Sequence, residues 1–387
     1  MFCDAKKLMM ISVQGQMLTD RHVPPFMVWS HPGEGKTAVS EMMVEAFSID
    51  YFHKDAAPQK MPADFAGYAA PDFDKGVMNM LPPKHAKEIA ALDGTAFILY
   101  DELADAPRSV QSAAHGPLLD KTLGELKMQT MDNGIAQGAC SNPPTTNTTG
   151  ESLSMAVRNR LFHIEWDESV DEWADNMELG FPTPDVNDLV FVEDDWDKHL
   201  PKYRSLVKAF AKRFPDRIQM TDEQRLADRG NYGPWHSKRS WTAGIYMMAL
   251  CEGAGELDLI FKALSGCVGE DVATEYFTWV NNLDIPDPEA VLVNPRGFTV
   301  PPRGDQVYVL ASGVVAAVEN KNNAQRWASA WTVIDTLVSA GFADISSAMC
   351  KRLIDCWPKG APRPNLGGEL LEILKESGRM DDDTGRR

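Results

Sequence analysis

Residues 32–38 read Pro32, Gly33, Glu34, Gly35, Lys36, Thr37 and Ala38, a glycine-containing turn followed by a lysine and a hydroxyl. A turn free of obstructing side chains can aim successive backbone N–H groups at a phosphate. A lysine at its end reaches the outer phosphates of a nucleotide, and the adjacent threonine hydroxyl is a ligand for Mg²⁺. Asp101 and Glu102 form an acidic pair. The first suits the shell of a metal ion and the second the activation of a water. Asn142 offers an amide to the same water or to a phosphate oxygen, and Arg158, Arg160 and Arg239 offer cationic donors suited to phosphate. The chemistry these types imply is cleavage of a nucleoside triphosphate by water with a metal ion in attendance.

Such groups work only if secondary structure brings them to one place. Phe26-Met27-Val28-Trp29 has the length of a buried strand, and Val39, Met42, Met43, Ala46 and Phe47 recur at helical spacing, so the turn joins strand to helix. The helix N-terminus adds partial positive charge where the phosphates would lie. The first glycine of the usual G-x-x-x-x-G-K-[ST] pattern is replaced by Ser30, and Glu34 must point away from the phosphates. Ala96-Phe97-Ile98-Leu99-Tyr100 predicts a strand buried on both faces and ending at the acidic pair. Residues 134–141 predict another, ending at Asn142, and residues 161–166 a third, with Arg158 and Arg160 at its mouth. Ligands of parallel sheets bind at the carboxyl ends of strands, where the acids and Asn142 then fall. Ser237 or Ser240 can cap a helix that begins near Arg239. A cation at a helix N-terminus opposes the dipole, which favours an anionic partner for it.

The chain has 387 residues and a formal charge of −18. That acidity disfavours general nucleic-acid binding, which depends on neutralising phosphates. No apolar run reaches the ~18–20 residues that span a bilayer, and the start of the chain lacks a secretion signal. The six cysteines are scattered, with no C-x-x-C pair, which fits a reducing cytoplasm; Cys140 and Cys251 read as small core residues. Residues 48–93, rich in Pro, Asp and Gly, predict loops around short elements. Gly116-Pro117 should break the helix that follows the acidic pair, and residues 123–128 suggest a short strand or hairpin arm. Beyond an acidic, proline-containing junction at 167–203 the pattern turns helical.

In this order the pieces resemble the MoxR-like branch of the AAA+ ATPases, a branch of the P-loop NTPases, over about residues 23–357. The likeness is carried by Pro32-Gly33-Glu34-Gly35-Lys36-Thr37, Asp64-Phe65-Ala66-Gly67, Ile98-Leu99-Tyr100-Asp101-Glu102 and Ala139-Cys140-Ser141-Asn142-Pro143-Pro144. Arg158-Asn159-Arg160-Leu161-Phe162, Ser237-Lys238-Arg239-Ser240-Trp241 and Leu283-Asp284-Ile285-Pro286-Asp287-Pro288-Glu289 extend it. Ser30 and Lys238 depart from the family pattern. The resemblance implies an α/β fold: an αβα P-loop core with a parallel sheet at 1–180, a helical lid at 181–290, a helical extension at 291–378 and a disordered tail at 379–387. It implies Lys36 and Thr37 as Walker A, Asp101 and Glu102 as Walker B, and Asn142 as sensor 1. Arg160 becomes the arginine finger, with Arg158 as the alternative, and Arg239 sensor 2. Expected cofactors are ATP and Mg²⁺, held through Thr37 and Asp101. Expected partners are further copies of the chain in a ring, usually a hexamer, and a remodelled protein, often one bearing a von Willebrand factor A domain. Two other readings use the same nucleotide site: a nucleic-acid motor or packaging ATPase, and an ATP-binding scaffold with little turnover.

Overall fold

The structure, a computed structural model, describes residues 2–19, 23–146, 152–182, 184, 188–228 and 231–361. Its strands in chain order are β1 (Phe26–Trp29), β2 (Tyr51–Ala56), β3 (Tyr68–Asp72), β4 (Val77–Leu81), β5 (Gly94–Asp101), β6 (Thr122–Leu123), β7 (Leu126–Lys127), β8 (Asn133–Ser141) and β9 (Phe162–Glu165). β2, β5, β8, β1 and β9 lie side by side in that order, every pairing parallel. Parallel neighbours need crossover connections, and the helices that supply them cover both faces. This is why β1 and β5 read as unbroken apolar runs: Phe26 to Trp29 and Phe97 to Leu99 are all buried. Side chains alternate across the sheet. Ala96, Ile98 and Tyr100 join a cluster with Phe65, Leu103, Val110 and Leu118, while the Phe97 ring packs with Phe26 and Phe52 on the other face. The fold is of the expected α/β class, a parallel sheet flanked by helices and followed by a helical C-terminal region.

Residues 48–93 hold β2, a helix Pro62–Ala66, the antiparallel hairpin β3–β4 and a helix Lys84–Ala90. Pro58 and Pro62 sit in the first turns of their helices, where no amide N–H is required. The break expected at Gly116-Pro117 appears as two short helices, Arg108–Ala113 and His115–Asp120, separated at Ala114. Pro117 falls in the first turn of the second, where a missing N–H costs no helical bond. β6 and β7 form the hairpin suggested at 123–128.

The chain divides into two compact units: Met1–Asp197 with Asp216–Thr274, and Lys198–Pro215 with Glu275–Arg387. These differ from the boundaries expected at 180 and 290, because the helices Lys238–Gly253 and Ile260–Val268 belong to the unit that contains the sheet. Gly266 explains the close packing. A Cβ there would stand 2.2 Å from the His163 carbonyl of β9, so only glycine lets the helix Ile260–Val268 lie so near the strand. The second unit is helical. Gly304–Asn320 packs on Leu200–Arg213, and the Trp327 and Trp357 rings stack at 5.0 Å. The expected tail at 379–387 lies outside the described residues, as do residues 362–378 of the expected extension. Among the described residues, no helix is long and apolar enough to cross a membrane.

Candidate active site

β1 delivers the chain into the loop of residues 30–35. Gly33 (φ 90°) and Gly35 (φ 79°) both adopt the left-handed region, with open space where a Cβ would stand. Gly35 is the residue from which the helix Lys36–Ala46 starts. The loop backbone therefore turns without side chains over it, as phosphate binding requires. Ser30 takes no positive φ; its N–H continues the sheet toward the Ser141 carbonyl at 3.4 Å, and its hydroxyl donates to the His31 carbonyl. The freedom of a glycine is thus not needed at that position.

Lys36 folds across the loop. Its ammonium donates to the Ser30 carbonyl at 3.1 Å, the His31 carbonyl at 3.2 Å and the Asn142 Oδ1 at 3.0 Å. Burial lowers its pKa, against the opposing pull of Asp101, Glu34 and Glu102. The Thr37 hydroxyl lies 3.4 Å from Asp101 Oδ2, and the Cys140 thiol donates to Asp101 Oδ1 at 3.0 Å. Lys36, Thr37, Asp101 and Asn142 are thus gathered at the carboxyl edge of β1, β5 and β8. Glu102 is exposed and carries φ 56°, a conformation that is costly for a non-glycine residue and marks an abrupt exit from β5. The Ser141 hydroxyl holds that exit by accepting from the Ala104 N–H at 2.8 Å. The hydroxyl of Thr37 and the carboxylate of Asp101, both hard oxygen donors, fit a Mg²⁺ ion that keeps its remaining positions for phosphate and water.

A cavity of about 980 Å³ opens beside the loop, lined by Gly33, Gly35, Val39, Lys7, Phe181 and Phe191 among others. Loop glycines on one wall and apolar rings on another suit a ligand with a phosphate end and a flat, weakly polar end.

The arginines are elsewhere. Arg160 and Arg239 line a second cavity, of about 810 Å³, with Pro24, Pro25, Lys121 and Lys238. Pro25 immediately precedes β1 and Arg160 nearly so β9, so this cavity lies at the amino edge of the strands, opposite Lys36. Burial lowers the pKa of Arg160, and the charge of Arg239 lowers it further. The Nε of Arg160 and the Nε2 of His115 are buried without a hydrogen-bond partner. Burial also lowers the pKa of His115, with Arg160 and Arg239 adding to it. Arg239, which the resemblance implies as sensor 2, thus lines this cavity and not the one beside the glycine loop. Arg158, the alternative finger, is 1% exposed and fully engaged. Its guanidinium pairs with Asp228 at 2.8 Å and 3.3 Å, and its Nε donates to the Gly233 carbonyl at 2.7 Å.

Two site-supporting residues escaped the sequence reading. Cys140 read as core, yet parallel pairing sets it opposite Asp101. His163 accepts at Nδ1 from the Trp29 indole at 2.9 Å, with its Nε2 2.9 Å from the Arg158 carbonyl. Only the neutral imidazole protonated at Nε2 satisfies both contacts. Register and strand order, which a single sequence does not print, create both pairs.

No protein-family model matches the sequence, and no curated protein matches it. Among solved structures, the chain is similar to a Cytophaga hutchinsonii protein described as a "putative ATPase". The two share 17% identity and a TM-score of 0.42, over 71% of this chain and 87% of that chain.

Proposed function

We propose that this chain is a Mg²⁺-dependent ATP hydrolase of the MoxR-like AAA+ type, working in the cytoplasm as a ring that remodels a protein partner. The observation that carries the reading is the Lys36–Asn142 and Thr37–Asp101 geometry at one sheet edge, next to a glycine loop free of side chains. In this reading Lys36 leaves its carbonyl and amide partners for the β- and γ-phosphates of ATP. Thr37 and Asp101 would hold the Mg²⁺, which neutralises phosphate charge. Glu102 takes the proton of the attacking water, and Asn142 orients that water against the γ-phosphate. Arg160 and Arg239, which line one cavity at the opposite edge, serve the nucleotide of the next subunit in this reading. Such a role would require a neighbouring copy, as a ring provides.

Calorimetry with Mg²⁺ and ATP, paired with a steady-state phosphate-release assay, tests the proposal. Wild-type protein should bind and hydrolyse. Lys36→Ala should lose binding, and Glu102→Gln should bind but hydrolyse on the order of 10²–10⁴-fold more slowly. Folded wild-type protein that ignores Mg²⁺ and ATP would overturn the reading. Glu102→Gln, held in its ATP state, is also the form with which to capture the remodelled partner.

A further inference from the structure

A second cluster of metal-ligating side chains sits at the outer edge of the sheet, on residues the nucleotide reading does not use. His53 and Asp55 lie on β2, and His85 on the helix Lys84–Ala90. Their ligand atoms all fall within 4.8 Å of one another. His53 Nε2 is 3.0 Å from Asp55 Oδ1, and the His53 and His85 rings stack at 3.9 Å between centroids. The Asp55 side chain is 4% exposed, and Lys60 Nζ stands 2.5 Å from the same oxygen.

We propose that His53, Asp55 and His85 form a binding site for a divalent transition-metal ion of the zinc class. Two imidazoles and one carboxylate are a borderline-soft donor set, which favours zinc over magnesium and leaves a fourth position for water. Around a tetrahedral ion with bonds of about 2.0–2.1 Å, donor atoms stand roughly 3.4 Å apart. The present spread therefore closes with inward shifts of about 1 Å. Stacked rings hold their in-plane lone pairs parallel, so binding splays His53 from His85. Lys60 now supplies the positive charge beside the buried carboxylate, and a metal ion takes over that role as the lysine swings out to solvent. Asp55 pairs with Tyr100, and the next residue, Ala56, pairs with Asp101. An ion here braces the edge strand beside the Mg²⁺-binding aspartate, without being part of the nucleotide site.

The test is zinc titration of full-length, chelator-treated protein against a chromophoric chelator, with Mg²⁺ in excess and no nucleotide. Wild type should take up one zinc per chain, and Co²⁺ in its place should give the intense visible bands of a tetrahedral site. His53→Ala and His85→Ala should each weaken binding by at least about tenfold. Lys60→Ala should tighten it, because the competing cation is gone; a purely structural role for the cluster gives no such gain. Lys36→Ala should leave zinc affinity unchanged, which separates this site from the phosphate loop. No zinc uptake by wild type, equal affinity in His85→Ala, or weaker binding in Lys60→Ala would each overturn the proposal. The partly exposed His85 and Lys60 positions keep the test independent of any folding defect at Asp55.

Discussion

Replacing Arg158 should cost stability, and replacing Arg160, two residues on, should cost hydrolysis. Arg158→Ala removes two contacts to Asp228 and one to the Gly233 carbonyl, and strands a carboxylate that is 8% exposed. Breaking a buried pair from one side costs about 3–5 kcal/mol. Asn231, which still donates to Asp228 Oδ1 at 2.9 Å, places the expected loss near the lower end. In a unit of this size about 3 kcal/mol lowers Tm by on the order of 10 °C. Arg160→Ala deletes one of two like charges, so thermal stability should hold within about 1 kcal/mol. Its hydrolysis should drop by roughly 10³-fold or more, as when an arginine supplied by a neighbour is lost. The assay is thermal denaturation by circular dichroism alongside phosphate release. Two controls sharpen it. Arg158→Met combined with Asp228→Leu should recover most of the stability. Mixing Arg160→Ala with Lys36→Ala subunits should restore hydrolysis, since each intact site then draws its halves from different chains. If Arg158→Ala keeps its Tm within about 1 °C yet stops hydrolysis, the two arginines have been assigned the wrong way round.

Two further outcomes follow from packing and protonation. Burial, opposed by a hydrogen bond to the Arg158 carbonyl, lowers the His163 pKa to about 4 from 6.5. Between those values the unfolded chain binds the proton and the folded chain refuses it, so stability should fall as pH drops from 6.5 toward 4. The full difference is about 3 kcal/mol. Urea denaturation at several pH values in that window should show this slope, and His163→Gln should flatten it; an unchanged slope would remove His163 as the cause. Gly138→Ala would put a Cβ 2.1 Å from the Phe26 ring inside the sheet. It should destabilise the protein by about 1–3 kcal/mol, with recovery when Phe26 is shortened to leucine; a neutral Gly138→Ala would contradict the packing.

The sequence was enough for whatever is local in the chain. Gly33, Gly35, Lys36 and Thr37 are consecutive or nearly so, and the strand before them and the helix after them declare themselves by apolar period. Asp101 and Asn142 were legible because each ends an apolar run long enough to be a buried strand. Contacts between distant segments were another matter. The pairing of Cys140 with Asp101 depends on a parallel register that no residue type encodes. The fate of the arginines depends on what lies across from them: Asp228, 70 positions from Arg158, pairs with it, whereas Arg160 is half-buried facing the like charge of Arg239. Gly266, whose missing side chain lets a late helix lie against β9, shows its purpose only once that strand is across from it. His53, Asp55 and His85 likewise meet only because the helix Lys84–Ala90 returns to the edge strand. Side-chain chemistry is fixed by the chain as written. Which charges are paired, which are left facing one another, and which ligands converge is fixed by long-range packing, because electrostatics and coordination act over ångströms of space and not over sequence distance.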